Sequence, residues 1–515
     1  MKKRFWKTAC ILCLVPALLS GCLQTEPEEP DTSQLLTDEE LAQPVPADVT
    51  LPDTFALPYD PARTLDPVNC ADGMQQVVSS LLYEGLFALD QALEPQNVLC
   101  SAYTYDAETY TYVFTLRSGV TFSDGTELTA QDVVQTLKRA ALSPRYGARL
   151  SKVSSITAGE GIVSIVLSAG NTAFPALLDI PIVKSGTEKT LVPIGTGPYL
   201  LLEDEAGARL SSNHSHWKKE RLPVESIALS AAGDRDTMLY QFTSHDVQLI
   251  TADLTGTTPI SVTGNISFQD ADTTILQYIG FNTHRAPFHN SQLRAALGNG
   301  INRGSVISAC LSGHGAAAQF PISPVSPLYP AELDNTYSYD AFADAMERSG
   351  YAAGNPVSAT LLVNSENSFK VAAATHIAQA LSAFDLQIEV VALPWEEYTA
   401  ALQAGEFDLY YGEVKLTADW DLSPLLGSGG ALNYGSYFNP RTDLLLASLA
   451  AAEHDSRAAA AQALCAYLKQ SAPILPVCFK STSVLLQTGT VEGLTPTMAS
   501  PFYDLPRCTF HLKQD

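Results

Sequence analysis

The sequence predicts an α/β protein, with room in its 515 residues for two or three lobes. One observation is a strand–helix–strand run. "SATLLV" (358–363) reads as a buried strand, the helix after it repeats apolar positions at Val371, Ala374, Ile377, Ala378 and Leu381, and "LQIEVVAL" (386–393) reads as a second strand. A unit of about 37 residues built this way implies a parallel pair with a right-handed crossover. A second observation is composition: 46% hydrophobic and 17% charged residues describe a globular chain. A third is that no later apolar run approaches the roughly 20 residues a membrane span needs.

Taken in order, the chain opens on Lys2, Lys3, Arg4 and Lys7, then an apolar stretch from Thr8 to Ser20. That is too short to span a bilayer and is the pattern of a secretory signal segment. Leu19-Ser20-Gly21-Cys22 resembles the bacterial lipobox, which implies a lipoprotein signal peptide over 1–21 and a lipid-modified Cys22. The stretch after it, to residue 47, carries seven acids from Glu26 to Glu40, no Lys or Arg, and prolines at 27, 30, 44 and 46. Such a segment is expected to be a disordered acidic tether over 22–47. A coil of about 25 residues reaches roughly 25–30 Å.

Next comes "YTYVFTL" (110–116), which alternates as a half-exposed strand. "SDGT" (123–126) supplies the Asp and Gly of a tight turn, and Thr129 with Asp132 makes a capping-box-like start to the helix "AQDVVQTLKRAAL". These readings account for Asp124 and Asp132 without catalysis. After the strand–helix–strand unit, "WEEYTAALQAG" (395–405) is a helix ended by Gly405, and "FDLYY" (407–411) is another strand.

Charge excludes some functions. Four of the 30 basic residues and none of the 55 acids lie in the signal segment, so 26 bases face 55 acids after it, a formal charge of −29. That argues against nucleic acid and against docking on anionic lipid by charge. Six cysteines follow Cys22, at 70, 100, 310, 465, 478 and 508. None forms a CxxC pair, sequence leaves their pairing open, and they are expected to be mostly small buried apolar residues. The histidines of "NHSHW" (213–217) and "THRAPFH" (283–289) lack a metal-site spacing and read as surface or loop residues. No nucleophile elbow, zinc-protease, P-loop or dinucleotide motif occurs. The expectation is a binding protein without cofactor or metal, not an enzyme.

Five phrases in order carry a resemblance. "TLDP" (64–67) with "LLYEGLFALD" (81–90), the block 110–140, "PIGTGPYLL" (193–201), "YIGFNTHRAPFHNSQLRAALGNGINR" (278–303) and "NYGSYFNPRTDLLLASL" (433–449) resemble the extracytoplasmic solute-binding proteins of ABC transporters, in the peptide/nickel (oligopeptide-binding, family 5) class. The resemblance implies a periplasmic-binding-protein-like clamshell, type II with an extra subdomain. Lobe one would be 48–275 plus 472–515, with the subdomain at about 85–190, and lobe two 280–470. A hinge is expected near Gln277–Phe281 and Ala472–Val477, with Tyr199 in hinge packing and Asn282 ending a strand.

The resemblance also implies a site. Relatives that bind peptides often carry an aspartate that pairs with the ligand's amino terminus, and "TADWDLSPLL" (417–426) puts Asp419 and Trp420 there. Asn433 and Tyr434 fall in the family's ligand-facing loop. The tryptophan that often precedes the aspartate is missing, and "GEVKLT" (412–417) lengthens the approach to it. Asp419 reads alternatively as a capping or loop acid, and Trp420 as a core aromatic. The expected function is a monomeric, lipid-anchored receptor on the outer face of the cytoplasmic membrane. It would bind short peptides and deliver them to a permease served by an ATPase. Alternatives are a nickel-chelate or haem binder of the same fold, or a peptide sensor.

Overall fold

The computed structural model describes residues 51–70, 73–205, 207–351 and 356–513. The signal segment, Cys22 and the tether lie outside the described residues.

Lobe one opens with β1 (Ala56–Tyr59). The chain then leaves it for a subdomain made of β2 (Cys100–Asp106), β3 (Thr111–Leu116), α1 (Ala130–Ala141), β4 (Val153–Ala158) and β5 (Ile162–Leu167). Its antiparallel sheet has the order β2-β3-β5-β4. β3 alternates as its sequence predicts, and Tyr112, Phe114, Val133, Leu137, Val163 and Ile165 form the core beneath α1. Full burial of such side chains contributes roughly 1.5–3 kcal/mol each. Thr129 and Asp132 close a capping box on α1, and Asp132 also accepts from the Ser185 amide at 2.9 Å. Gly125, at φ 83°, turns the chain where only a residue without Cβ does so freely. The Asp124 carboxylate accepts from the Thr126 amide in that turn.

The chain returns through β6 (Tyr199–Asp204), β7 (Gly207–Ser212) and β8 (Ser226–Ala231), which complete a sheet of order β1-β8-β7-β6. β9 (Leu249–Ala252) and the long β10 (Ile266–Phe281) then lead into lobe two. There follow α2 (Ser291–Asn299), β11 (Val357–Asn364), α3 (Ser368–Leu381), β12 (Leu386–Leu393), α4 (Trp395–Ala404) and β13 (Leu409–Lys415). β11 and β12 pair in parallel from Val357↔Leu386 to Asn364↔Leu393, as their pattern predicts. α4 ends on Gly405 at φ 67°. Helices α5 (Pro440–Ala451) and α6 (His454–Ser471) precede β14 (Ile474–Gln487), the second long strand.

One mixed sheet of order β9-β14-β10-β13-β11-β12 joins the two lobes, with the short strand Gly315–Ala317 also on β14. Its pleat sorts side chains between two cores. Leu361, Val363, Leu409 and Tyr411 pack on one face with Ile377 and Leu381. Leu362 and Tyr410 pack on the other with Phe407, Trp420 and Leu464.

β10 and β14 run between lobes, and their register shifts between Gln277 and Tyr278 and, more widely, between Asp272 and Leu276, opposite Ser481 and Phe479. On one side of that break, Leu475, Val477, Cys478 and Phe479 belong to the cores of lobe two. On the other, Val484, Leu485 and Leu486 belong to the cores of lobe one. The stretches expected near the hinge, 277–281 and 472–477, pack their apolar residues into the lobe-two cores and hold the shift at Gln277 and Tyr278. Tyr199 is buried in lobe one and donates to the Val224 carbonyl at 2.7 Å. Asn282 ends β10 by donating to the Gly405 carbonyl at 3.1 Å. All six cysteines are buried, with no disulfide among the described residues. Burial pushes the Cys100 and Cys508 thiols up to about 11 and Cys478 to about 12.

Candidate ligand-binding cleft

The cleft forms because β13 runs past the lobe-two core. "GEVKLT" is not a loop insertion: β13 continues through Gly412–Lys415, paired with β10 down to Ile275↔Lys415. This carries Lys415, Leu416 and Thr417 out between the lobes. The opposing wall is the segment after α1, which brings Arg145, Tyr146, Ala148 and Arg149. Two adjoining cavities, of about 310 and 570 Å³, share Ala148, Arg149, Lys415, Leu416 and Thr417. Their volumes lie in the range of small-ligand sites.

Asp419 lines the larger cavity and is 5% exposed. One carboxylate oxygen accepts from Asn171 Nδ2 at 2.7 Å. The other accepts from Thr417 Oγ1 at 2.5 Å and the Asp421 amide at 3.3 Å. Its main-chain carbonyl accepts from Arg457 of α6. The loop-capping reading of this acid is therefore met by local bonds, while its wall position leaves it at the cavity.

Trp420, next in the chain, goes the other way. Its φ of 55° puts a bulky residue in the left-handed region, which costs of order 1–3 kcal/mol. That reversal sends the indole into the lobe-two core, edge-on to Phe479 at 6.0 Å, with Nε1 unpartnered among the described residues. Asn433 staples its own loop, donating to the Gly427 and Tyr437 carbonyls at 3.0 and 2.7 Å. Tyr434 is half-buried against Tyr410. Of the four candidate residues, only Asp419 is among those lining the larger cavity.

The sequence reading missed the cations. Arg145 donates to the Cys70 carbonyl and lies 5.2 Å over the Tyr146 ring. Arg149 pairs with Asp179 and donates to the Leu177 carbonyl at 3.0 Å, and burial lowers its pKa. Lys152 pairs with Asp421 across the cleft at 2.5 Å. The signal was present in "RYGARLSK" (145–152), three cations in eight residues of an acidic chain. Two further contacts cross between subdomain and lobe two: Thr172 Oγ1 donates to the Ala452 carbonyl at 2.6 Å and accepts from Arg457 at 3.2 Å. Of the histidines, His214 is exposed, whereas His216 is buried 3.2 Å from Glu84.

Two lobes joined by long strands, with a largely apolar cavity that carries a few charged groups between them, define a clamshell that captures a small solute. Residues 94–431 match the bacterial extracellular solute-binding proteins, family 5 (middle region), and the chain belongs to that family. It is 27% identical over 414 residues to the glutathione-binding protein GsiB of Escherichia coli (strain K12), covering 75% of this chain and 80% of that one. Its fold is similar to the unliganded open form of MppA, a periplasmic murein tripeptide binding protein, with TM-score 0.75, 19% identity, and coverage of 90% and 99%. It is also similar to the nickel ABC transporter structure from Bacillus halodurans, with TM-score 0.73, 18% identity, and coverage of 86% and 97%. The relatives are solute-binding proteins of ABC systems, and the family is extracytoplasmic. Among the described residues no helix is long and apolar enough to cross a membrane.

Proposed function

We propose that this chain is a receptor that captures a short peptide between its lobes and delivers it to an ABC permease, with ATP hydrolysis in a partner chain. The observation that carries the reading is Asp419, a carboxylate 5% exposed in the wall of a cavity of about 570 Å³. A fixed carboxylate pairs with a ligand ammonium at one point, so the rest of the peptide can vary. The glutathione- and tripeptide-binding relatives support a peptide-sized solute. Trp420, Asn433 and Tyr434 hold the loops around the cleft in this reading.

Lobe one comprises 48–275 and a returning C-terminal segment, lobe two begins at about 280, and the subdomain covers about 85–190. The returning boundary moves from 472 to about 480, on the break at Phe479–Ser481. Cys22 carries the lipid and holds a monomeric receptor beside its permease, at the outer face of the cytoplasmic membrane. Tethering raises the local concentration at the permease without a new contact.

Native mass spectrometry of the purified protein tests the ligand. Retained masses matching short peptides, lost in Asp419→Ala, are expected. A single metal or haem mass would replace the peptide reading with a chelate or haem reading.

A further inference from the structure

The charges lining the smaller cavity do not balance: Arg145, Arg149 and Lys415 face one carboxylate, Asp179. Arg149 is matched by Asp179 and Lys152 by Asp421. Arg145 has only a carbonyl and an aromatic face as partners, and no carboxylate within ion-pair range among the described residues. Lys415 has neither an ion pair nor a side-chain hydrogen bond among them. It is open to the water of the cleft and lines both cavities, with Arg149, and the smaller one with Arg145 as well.

Desolvation lowers the Lys415 pKa, and the like charges of Arg149 and Arg145 on the facing wall add to that lowering. Asp419 and Asp443 line the larger cavity and not the smaller one; Arg149 and Arg457 act on Asp419, and Ser428 donates to Asp443. In a chain with 55 acids and 30 bases, two unmatched cations facing one cavity are a concentrated positive field.

We infer that the cleft takes an acidic short peptide, with one ammonium at Asp419 and carboxylates outnumbering it, one of them held between Lys415 and Arg145. This deepens the peptide reading above and rests on it. The two unmatched cations of the smaller cavity complement carboxylates, and Asp419 in the adjoining cavity complements an ammonium. A carboxylate there offsets the charges of Lys415 and Arg145 and reduces the repulsion between the walls. Basic peptides are rejected because they add to that repulsion.

The test is calorimetric titration of the full-length chain in mild detergent with matched peptides: Ala-Glu, Ala-Gln and Ala-Lys, and the same residues after Ala-Ala. The Glu peptides are expected to bind at least about tenfold tighter than the Gln peptides, with the Lys peptides weakest. Lys415→Met should remove the preference for Glu and flatten its salt dependence, and Lys415→Arg should keep both. Lys415 sits at a strand end open to water, so the methionine variant should fold; an unchanged melting temperature checks this. Equal affinity for Glu and Gln peptides, or a preference that survives Lys415→Met, overturns the inference. If no peptide binds at millimolar concentration, the peptide reading fails, and glutarate and citrate are titrated instead. Binding lost in Lys415→Met then upholds an anion site for a non-peptide ligand, and no binding overturns that too.

Discussion

At Asp419 the proposed binding role meets a local structural one. Asn171, Thr417 and the Asp421 amide use three of its acceptor positions, and the ligand's ammonium would take what remains. Those bonds fix the carboxylate before ligand arrives, which lowers the ordering cost of binding. Asp419→Asn keeps the shape and removes the charge. It is expected to weaken a peptide with a free amino terminus on the order of 10- to 100-fold, and to leave an N-acetylated peptide nearly unaffected, by calorimetry. Equal losses for both peptides would make Asp419 a purely structural acid. The sequence pointed to Asp419 by motif position. It did not reveal that Trp420 turns away, because a left-handed backbone at a tryptophan leaves no mark in composition or period.

Where β10, β13 and β14 pass between the lobes, a charge network crosses them. Lys480 of β14 pairs with Asp253, just after β9, at 2.6 Å, and lies 3.7 Å from Glu413 of β13. Glu413 in turn pairs with Lys370 of α3 at 2.9 Å and accepts from Gln277 of β10 at 2.8 Å. Burial alone would raise the Glu413 carboxyl, but Lys370, Lys480 and Gln277 outweigh it and hold it below its ordinary 4.5. A carboxyl lowered in the folded state stabilises fully above its ordinary value, and the contribution is lost as pH falls through the lowered one. Glu413→Gln leaves the Lys480 ammonium, 3% exposed, with one carboxylate instead of two. It is expected to cost about 2–3 kcal/mol at neutral pH, and the gap from wild type should shrink as pH falls below about 4. Thermal melts across pH measure it.

The capping box on α1 is a more local case. Thr129→Ala removes an acceptor from the Asp132 amide and should lower stability by about 1 kcal/mol. Urea unfolding would read it as a shift in midpoint at unchanged slope. This element was legible in the sequence because cap, turn and apolar period all lie within a few residues. The full length of β13 was not: "GEVKLT" carries a Gly and two charges, and only pairing with β10 keeps it extended.

Over the whole molecule, the proposed mechanism is closure. Ligand shifts the clamshell toward its closed state only by as much as it binds that state better. The proposed bending point is the register break at 273–275 opposite Lys480, where strand pairing is already interrupted. Small-angle scattering with and without a saturating peptide is expected to give a smaller radius of gyration for the complex. An unchanged radius would remove lobe closure as the way this receptor signals occupancy to its permease.

By itself the sequence determined the α/β class, the parallel β11–α3–β12 unit, the subdomain's strand and capped helix, and membership of a binding family. Each rests on periodicity or on motifs whose residues are near one another in the chain. Only the tertiary structure decided where the register of the long strands breaks, which of the candidate site residues line a cavity, and that Arg145 and Lys415 face one without carboxylate partners. Those facts join residues 270 positions apart, brought together by two lobes folding on one shared sheet, and no local pattern encodes that distance.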